Sequence, residues 1–97
     1  NLSLVSEAIN SKKGRILIVS DSKDDSNLHQ LLALSLLLKD DTSMQLIRDG
    51  KEANLSNDFE NIILYNVSEQ IKQKYRNQGF RLEPLSEQTY VLELKKL

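Results

Sequence analysis

Three short apolar runs, separated by helical patterns, constrain this chain more than any other feature of its sequence. They are Arg15–Val19, Met44–Arg48 and Asn61–Asn66. Continuous apolar runs of this length are typical of strands buried on both faces, as in parallel sheets. With 97 residues, the chain is long enough for one domain. We therefore predict a single α/β domain over residues 1–97.

Three helical patterns alternate with these runs. The first, Leu2–Asn10, carries a narrow apolar stripe, and Ser3 can cap it. The third is capped by Asn66 or Ser68 and ends at Gly79. Between them, Leu28–Lys39 has leucines around most of its circumference. A helix that is apolar nearly all round is buried on more than one side or covered by a partner. We place it at the centre of a core containing Leu17, Val19, Leu32, Leu36, Ile63 and Leu64.

The end of the chain indicates an antiparallel hairpin. Phe80–Pro84 alternates between apolar and charged residues, Thr89–Leu94 is a second strand, and the connection between them is short. Pro84 cannot donate to a strand ladder, so it belongs at an edge or at a strand end. The predicted fold is a small Rossmann-like, mostly parallel sheet of about five strands, with a C-terminal antiparallel hairpin edge and two to three helices.

Composition excludes several classes of function. Thirteen basic and fourteen acidic side chains give a net charge of −1, which offers no long-range attraction for nucleic acid or for a membrane surface. The chain has no cysteine, so disulfides and thiolate sites are excluded. Without cysteine, a signal segment or a membrane span, we expect a cytoplasmic protein. Because the chain begins at Asn1 rather than Met, we expect a module of a larger protein.

The acidic turn after the first strand is the first place to look for a site, because ligands of open α/β sheets bind beyond the carboxyl ends of the strands. Asp21, Asp24 and Asp25 stand there, and Asn66 ends the third strand. The turn lacks the glycines that a phosphate site needs, and Lys23 stands where a calcium loop needs a ligand. We predict no cofactor and no metal, and keep these four residues as candidates for magnesium. His29, the sole imidazole, has a surface or capping role.

Parts of the chain resemble known families. About the first two-thirds of the chain resembles response-regulator receiver domains, which implies a regulatory domain. The resemblance lies in Ile16–Asp21, the stretch 49–53 and Asn61–Asn66. Asn66 stands where that family has its phospho-acceptor, however, and Ser20 replaces one acid of its pair. The closing strands resemble those of class I methyltransferases, but the glycine-rich loop is absent. A third possibility, which rests on topology alone, is the non-catalytic, Rossmann-like half that accompanies reductase domains in multidomain synthases.

Two functions follow as hypotheses. The first is a non-catalytic protein-interaction or scaffold module, which binds a protein partner or other domains of the same polypeptide through an apolar patch left exposed on the leucine-rich helix. The second is a degenerate receiver-like regulatory domain, which binds a cation or small ligand at the acidic turn. An enzyme with all its parts on this chain is the least favoured class.

Overall fold

The computed structural model describes residues 1–48, 53, 55 and 57–96. Within these residues the chain forms three helices and one five-stranded sheet. In chain order the elements are α1 (Leu2–Asn10), β1 (Ile16–Asp21), α2 (Ser26–Ser35), β2 (Thr42–Ile47), β3 (Asn61–Tyr65), α3 (Glu69–Asn77), β4 (Phe80–Pro84) and β5 (Val91–Lys96). In the sequence, Asp49 and Gly50 also predict the end of the second strand, and both lie outside the described residues.

The sheet is mixed, so the prediction of a mostly parallel sheet is wrong. Its strand order is β2-β1-β3-β5-β4. β1 pairs in parallel with β2 on one side and with β3 on the other, whereas β5 is antiparallel to both β3 and β4. The predicted hairpin is confirmed, but its second strand lies inside the sheet, between β3 and β4. One antiparallel pair was expected, and this insertion of β5 adds another.

Helices cover both faces of the sheet. α1 and α2 pack on one face, where Val5 and Ile9 of α1 join Leu31 and Leu34 of α2 in one cluster with strand residues. α3 covers the other face through Ile71 and Tyr75. The strand residues of the two clusters are Ile16, Ile18, Ile63, Tyr65 and Val91 on the first face, and Leu17, Val19, Ile47, Leu64, Leu92 and Leu94 on the second.

The ends of the outer helices show why they begin and end where they do. The Asn1 side chain caps α1 by accepting the Ser3 N–H at 2.8 Å, so Ser3 is not the cap. Ser68 caps α3 by accepting the Ile71 N–H at 3.4 Å, as one of the two predicted alternatives. Gly79 follows α3 with a φ of +92°, a left-handed conformation that glycine adopts without a Cβ penalty.

The leucine-rich helix differs from the prediction in length and in burial. α2 ends at Ser35, four residues before Lys39. Leu31 and Leu34 of α2 face the sheet, whereas Leu32 is 59% exposed and Leu36, the residue that follows the last turn of α2, is 85% exposed. The predicted burial of Leu32 and Leu36 is therefore wrong, and the remaining four predicted core residues, Leu17, Val19, Ile63 and Leu64, are fully buried. One helix resting on one sheet face buries a single stripe.

The two edge strands of the sheet differ in chemistry. β4 is one edge and carries Arg81, Glu83 and Pro84, as predicted for a strand that leaves the sheet at Pro84. β2 is the other edge, and its six residues, TSMQLI, include neither a charge nor a proline. No helix among the described residues is both long enough and apolar enough to cross a bilayer.

Candidate functional site

The carboxyl ends of β1 and β3 lie side by side and form the point where the strand order reverses. From β1 the chain passes through α2 to β2 on one side, and β3 pairs with the opposite side of β1. Open α/β sheets bind ligands in the crevice at such a point. Asp21 ends β1 and Asn66 directly follows β3, so the sequence prediction placed its candidates at the correct edge.

Asp21 is committed to holding two loops together. It is only 3% exposed, and its two carboxylate oxygens accept the backbone N–H groups of Lys23 at 2.9 Å and Ser68 at 3.1 Å. Burial alone would raise the pKa of Asp21, but the hydrogen bonds from Lys23 and Ser68 and the charge of Lys23 outweigh it and lower that pKa. The carboxylate therefore joins the turn after β1 to the start of α3.

Asp24 and Asn66 are directly bonded. The Asn66 amide donates to Asp24 Oδ2 at 3.0 Å, while Asp24 Oδ1 accepts the N–H and the hydroxyl of Ser26. The Ser26 hydroxyl and N–H, together with the Asn66 amide, lower the pKa of Asp24. Asn66 has a φ of +47°, in the left-handed region that asparagine tolerates better than most residues, and its N–H donates to the Tyr90 carbonyl at 2.7 Å.

Asn27 is the residue at this edge that sequence reasoning missed. It is fully buried in the first turn of α2 and donates from its amide to the carbonyls of Asp21, at 2.6 Å, and Asn66, at 3.1 Å. Its Oδ1 accepts the Asn66 amide at 2.8 Å. From the sequence alone, Asn27 is a candidate cap of the second helix, because it directly precedes Leu28. The sequence feature that could have indicated this role is the position of Asn27 in the first turn of an apolar helix. In that turn, a side chain on the buried face of the helix lies next to the ends of the strands.

Asp25 stands apart from the other candidates. It occupies the cap position of α2, but its side chain makes no capping hydrogen bond, and it is exposed. It lines a cavity of about 210 Å³ together with Leu28, Leu46, Arg48, Ser22 and Asp24. Within the described part of the chain, no three acidic or histidine side chains gather into a group able to hold a metal ion.

The chemistry of the donors also disfavours a hard cation at this edge. Magnesium takes carboxylate and carbonyl oxygens in near-octahedral geometry. Here both Asp21 oxygens and both Asp24 oxygens already accept protein hydrogen bonds. A magnesium ion at this edge would therefore compete with the bonds that define the turn for the lone pairs of these oxygens.

A second cavity lies at the same edge, beside β3. It has a volume of about 320 Å³ and is lined by Gln30, Asn66 and Tyr90. Tyr65 lies behind it, donating its hydroxyl to Gln30 Oε1 at 2.6 Å and packing edge-on against the Tyr90 ring at 5.5 Å. Burial and the neighbouring Tyr90 raise the pKa of Tyr65 to about 12. The lining is neutral and amide-rich. His29 is exposed, in line with a surface role.

The other candidate surface is an apolar face of α2. Leu28, Leu32 and Leu36 are spaced four residues apart, so they form one row along the helix, and they are 49%, 59% and 85% exposed. We call these three residues the leucine row. Gln30, on the β3 side of α2, bonds to Tyr65, whereas Leu28 shares a cavity with Leu46 of β2. The leucine row therefore lies on the side of α2 that faces the β2 edge.

Comparisons of the chain with protein-family models, with curated proteins and with solved structures find no match. The strand topology of this chain also differs from that of receiver domains, which the first part of the sequence resembles. Flavodoxin-like sheets have the order 2-1-3-4-5, whereas the last two strands here stand in the order β5-β4 and form antiparallel pairs. The receiver-like stretch 49–53 lies largely outside the described residues.

Proposed function

We propose that this chain is a non-catalytic protein-interaction module, part of a larger protein, and that the leucine row of α2 is its binding face. The observation that carries the proposal is the exposure of Leu28, Leu32 and Leu36 in a single line. Each large aliphatic side chain left in water forgoes roughly 1.5–3 kcal/mol of burial free energy. Scattered exposed leucines are ordinary, but a contiguous apolar patch marks an interaction surface.

The surroundings of the leucine row resemble the rim of an interface. Asp24 and Asp25 stand at the N-terminal end of α2, and Lys39 and Asp40 follow its C-terminal end. Protein interfaces typically have an apolar centre surrounded by polar and charged groups. The hydrogen bonds of Asp21, Asp24 and Asn27 fix the start of α2 to the sheet, so the row is presented on a rigid support. A preformed surface loses less conformational entropy on binding.

A finer description of the fold belongs to this proposal. We propose that β1, α2, β2 and β3 form a Rossmann-like half, in which β1 is the central strand. Support comes from the parallel pairing of β1 with both neighbours. In this arrangement hydrogen bonds join the ends of β1 and β3 to the start of α2, and the outer face of α2 is the binding face.

The test compares two substitutions that add the same charge at exposed leucines. Leu32 lies in the centre of the row, and Leu4, on α1, is 53% exposed and outside it. The three chains are immobilised and exposed to a native extract. A protein is a candidate partner when the wild type and the Leu4→Glu variant retain it but the Leu32→Glu variant does not. Each candidate is then purified and titrated calorimetrically against all three chains. We expect Leu32→Glu to weaken binding at least about 100-fold, as hot-spot substitutions do. Equal binding by the three chains would reject the proposal.

A second candidate function is the binding of a small neutral ligand in the cavity beside β3. The observation that favours it is the position of this cavity, lined by Gln30, Asn66 and Tyr90, at the point where the strand order reverses. Adenine and uracil are suitable probes because each is planar and carries amide-like donors and acceptors. Shifts in the NMR signals of the Gln30 and Asn66 side-chain amides on titration would support this function. NMR signals that stay unchanged at millimolar probe would reject this second function. A melting temperature that is unchanged by millimolar magnesium would reject cation binding, and the interaction module would then be the one remaining proposal.

A further inference from the structure

The outer edge of β2 completes the surface begun by the leucine row. β2 ends the sheet on this side, so one line of its backbone groups has no strand partner in the described part of the chain. Proteins usually protect such an edge with charged residues or proline, because it can pair with another strand. β4 has this protection in Arg81, Glu83 and Pro84. β2, with the sequence TSMQLI, has none.

The helix face and the strand edge are contiguous. Leu28 of α2 and Leu46 of β2 line one cavity, and Met44 and Leu46 pack against the cluster that holds Leu31 and Leu34. The even-numbered residues of β2 therefore face α2, since side chains alternate along a strand. The leucine row lies beside this face. A partner that paired with the β2 edge would also meet the leucine row.

We propose that the partner at this surface is a second copy of the same chain, joined by antiparallel pairing of β2 with its counterpart and by packing of α2 against α2. This inference rests on the proposed interaction function and names its partner. A two-fold axis perpendicular to the sheet makes the two β2 strands antiparallel and keeps both α2 helices on the same face. The two sheets then form one continuous sheet, and the unprotected edges disappear together.

The spacing between the elements fits this arrangement. Neighbouring strands lie about 4.8 Å apart. Leu31 and Leu34 of α2 share one hydrophobic cluster with strand residues that include Ile16 and Ile18 of β1, and Met44 and Leu46 of β2 pack against that cluster. With the α2 axis between these two strands, it is about half a strand spacing inside the edge. Pairing of the two edges then puts the helix axes about 10 Å apart, near the upper end of the 8–10 Å range of packed helices. At this distance the leucine rows of two antiparallel helices meet, with Leu32 near the centre.

The charges at the ends of β2 select this register. Asp40 precedes the strand and Arg48 follows it, and both are exposed. When Met44 pairs with Met44 of the partner subunit across the two-fold axis, Asp40 of one copy comes opposite Arg48 of the partner subunit, and this happens twice. Met44 lies on the same face as α2, and Asp40 and Arg48 lie just beyond the two ends of the strand. Complementary charges of this kind fix register and orientation in an interface.

A dimer needs a contiguous surface of sufficient size. A standard interface buries about 800 Å² on each partner, which is about one seventh of the 5839 Å² accessible surface of this chain. The six residues of β2 and the ten residues of α2 lie side by side and form the surface that would supply it. Its centre is apolar and its ends are charged, which matches the usual anatomy of an interface.

Sedimentation equilibrium tests the proposal with the wild type and five variants of the chain. We expect the wild type and the Leu4→Glu control to dimerise, and Leu32→Glu to weaken the dimer at least about 100-fold. Ser43→Lys, which adds an edge lysine of the kind found in natural edge strands, weakens it as well. Arg48→Asp weakens the dimer about ten-fold, and adding Asp40→Arg to that variant restores the wild-type affinity. Circular dichroism spectra establish that each variant is folded.

Two results would overturn the dimer. One is a wild-type chain that stays monomeric at millimolar concentration, and the other is a dimer that responds to none of the substitutions in the row, the edge or the charge pair. If the chain is monomeric but Leu32→Glu still abolishes binding of a captured protein, the dimer is wrong and the interaction module stands. If the chain is monomeric and no binding depends on Leu32, both proposals are wrong.

Discussion

Asn27 and Asn66 bond to each other in both directions: the Asn66 amide donates to Asn27 Oδ1 at 2.8 Å, and the Asn27 amide donates to the Asn66 carbonyl at 3.1 Å. Asn27 also donates to the Asp21 carbonyl at 2.6 Å. This reciprocal pair joins the start of α2 to the ends of β1 and β3. The edge at which an open α/β sheet binds a ligand is thereby held together by the protein's own side chains.

The first prediction concerns this pair. Asn27→Ala leaves two buried carbonyls without their amide donor, and such unsatisfied groups cost about 1–3 kcal/mol each. We expect the variant to lose at least about 2 kcal/mol of unfolding free energy in urea titrations. Asn77→Ala, at an exposed residue at the end of α3, is the control and should change the unfolding free energy by less than about 0.5 kcal/mol. Equal effects of the two substitutions would contradict the role assigned to Asn27.

The second prediction is a dependence of stability on acid pH through Asp21. Hydrogen bonding lowers the pKa of Asp21 in the folded chain despite its burial, so its contribution is present above the unfolded pKa of about 3.9. That contribution is lost as pH falls through the folded pKa. Asp21→Asn should therefore cost about 1–3 kcal/mol at pH 7, and the difference from wild type should shrink below pH 4.

Asp25→Asn is the matched control for this experiment. Asp25 lies in the same turn, is exposed and makes no capping bond with its side chain. Urea unfolding of the three chains between pH 2.5 and 7 makes the comparison. A cost at Asp21 that stays constant over this range would mean that the carboxylate charge is not what the N–H groups of Lys23 and Ser68 recognise.

The third prediction lies at alkaline pH. The folded chain holds the pKa of Tyr65 at about 12, above the unfolded value of about 10. The protonated phenol is thus favoured by folding, so its contribution is complete below pH 10 and is lost as pH rises through the folded pKa. Tyr65→Phe removes the hydrogen bond to Gln30 and should cost about 0.5–1.5 kcal/mol at pH 7. Between pH 10 and 11.5 the wild type should lose unfolding free energy more steeply than Tyr65→Phe. Parallel curves would contradict the raised pKa.

The strands were predictable because a continuous apolar run in the sequence indicates a strand that is buried on both faces. β1 and β3 appear within one or two residues of their predicted bounds, and every residue of β1 is buried. Strand order was not predictable from such patterns. The hairpin of β4 and β5 was visible, but nothing local indicates that β5, rather than β4, pairs with β3. That choice depends on the crossover of α3, which is a long-range property of the chain.

The predicted burial of Leu32 and Leu36 on the leucine-rich helix was wrong for a different reason. A helical pattern reveals its buried face only when polar residues mark the opposite face. In α2 the leucines at 28, 31, 32, 34 and 36 cover most directions, so Leu31 and Leu32 look equivalent, although one is 4% exposed and the other 59%. The buried stripe is set by the position of Asn27, whose bonds to the strand ends fix the rotation of the helix.

The acidic turn was placed correctly, but its chemistry could not be read from the sequence. Asp21 and Asp24 provide the charge that a cation site needs, and only the geometry shows that backbone N–H groups and the Asn66 amide already take their oxygens. Acidic residues at such turns serve equally as caps for neighbouring loops. The sequence contains the residues of both arrangements and does not distinguish them.

The last prediction compares two leucines of α2 that the sequence does not distinguish. Leu34 is fully buried in the cluster on the α1 side of the sheet, whereas Leu32 is 59% exposed. Leu34→Ala leaves a cavity and should cost about 2–5 kcal/mol of unfolding free energy. Leu32→Ala removes little buried surface and should change it by less than about 0.5 kcal/mol. Both are measured by urea unfolding at low micromolar protein, where a weak dimer does not contribute. At high protein concentration the cost of Leu32→Ala should rise above its value in dilute solution, and by more than the cost of Leu34→Ala. The reason is that Leu32 buries its side chain against a second copy only when the chain dimerises. A large cost of Leu32→Ala in dilute solution would mean that α2 is rotated about its axis, with the leucine row facing the sheet.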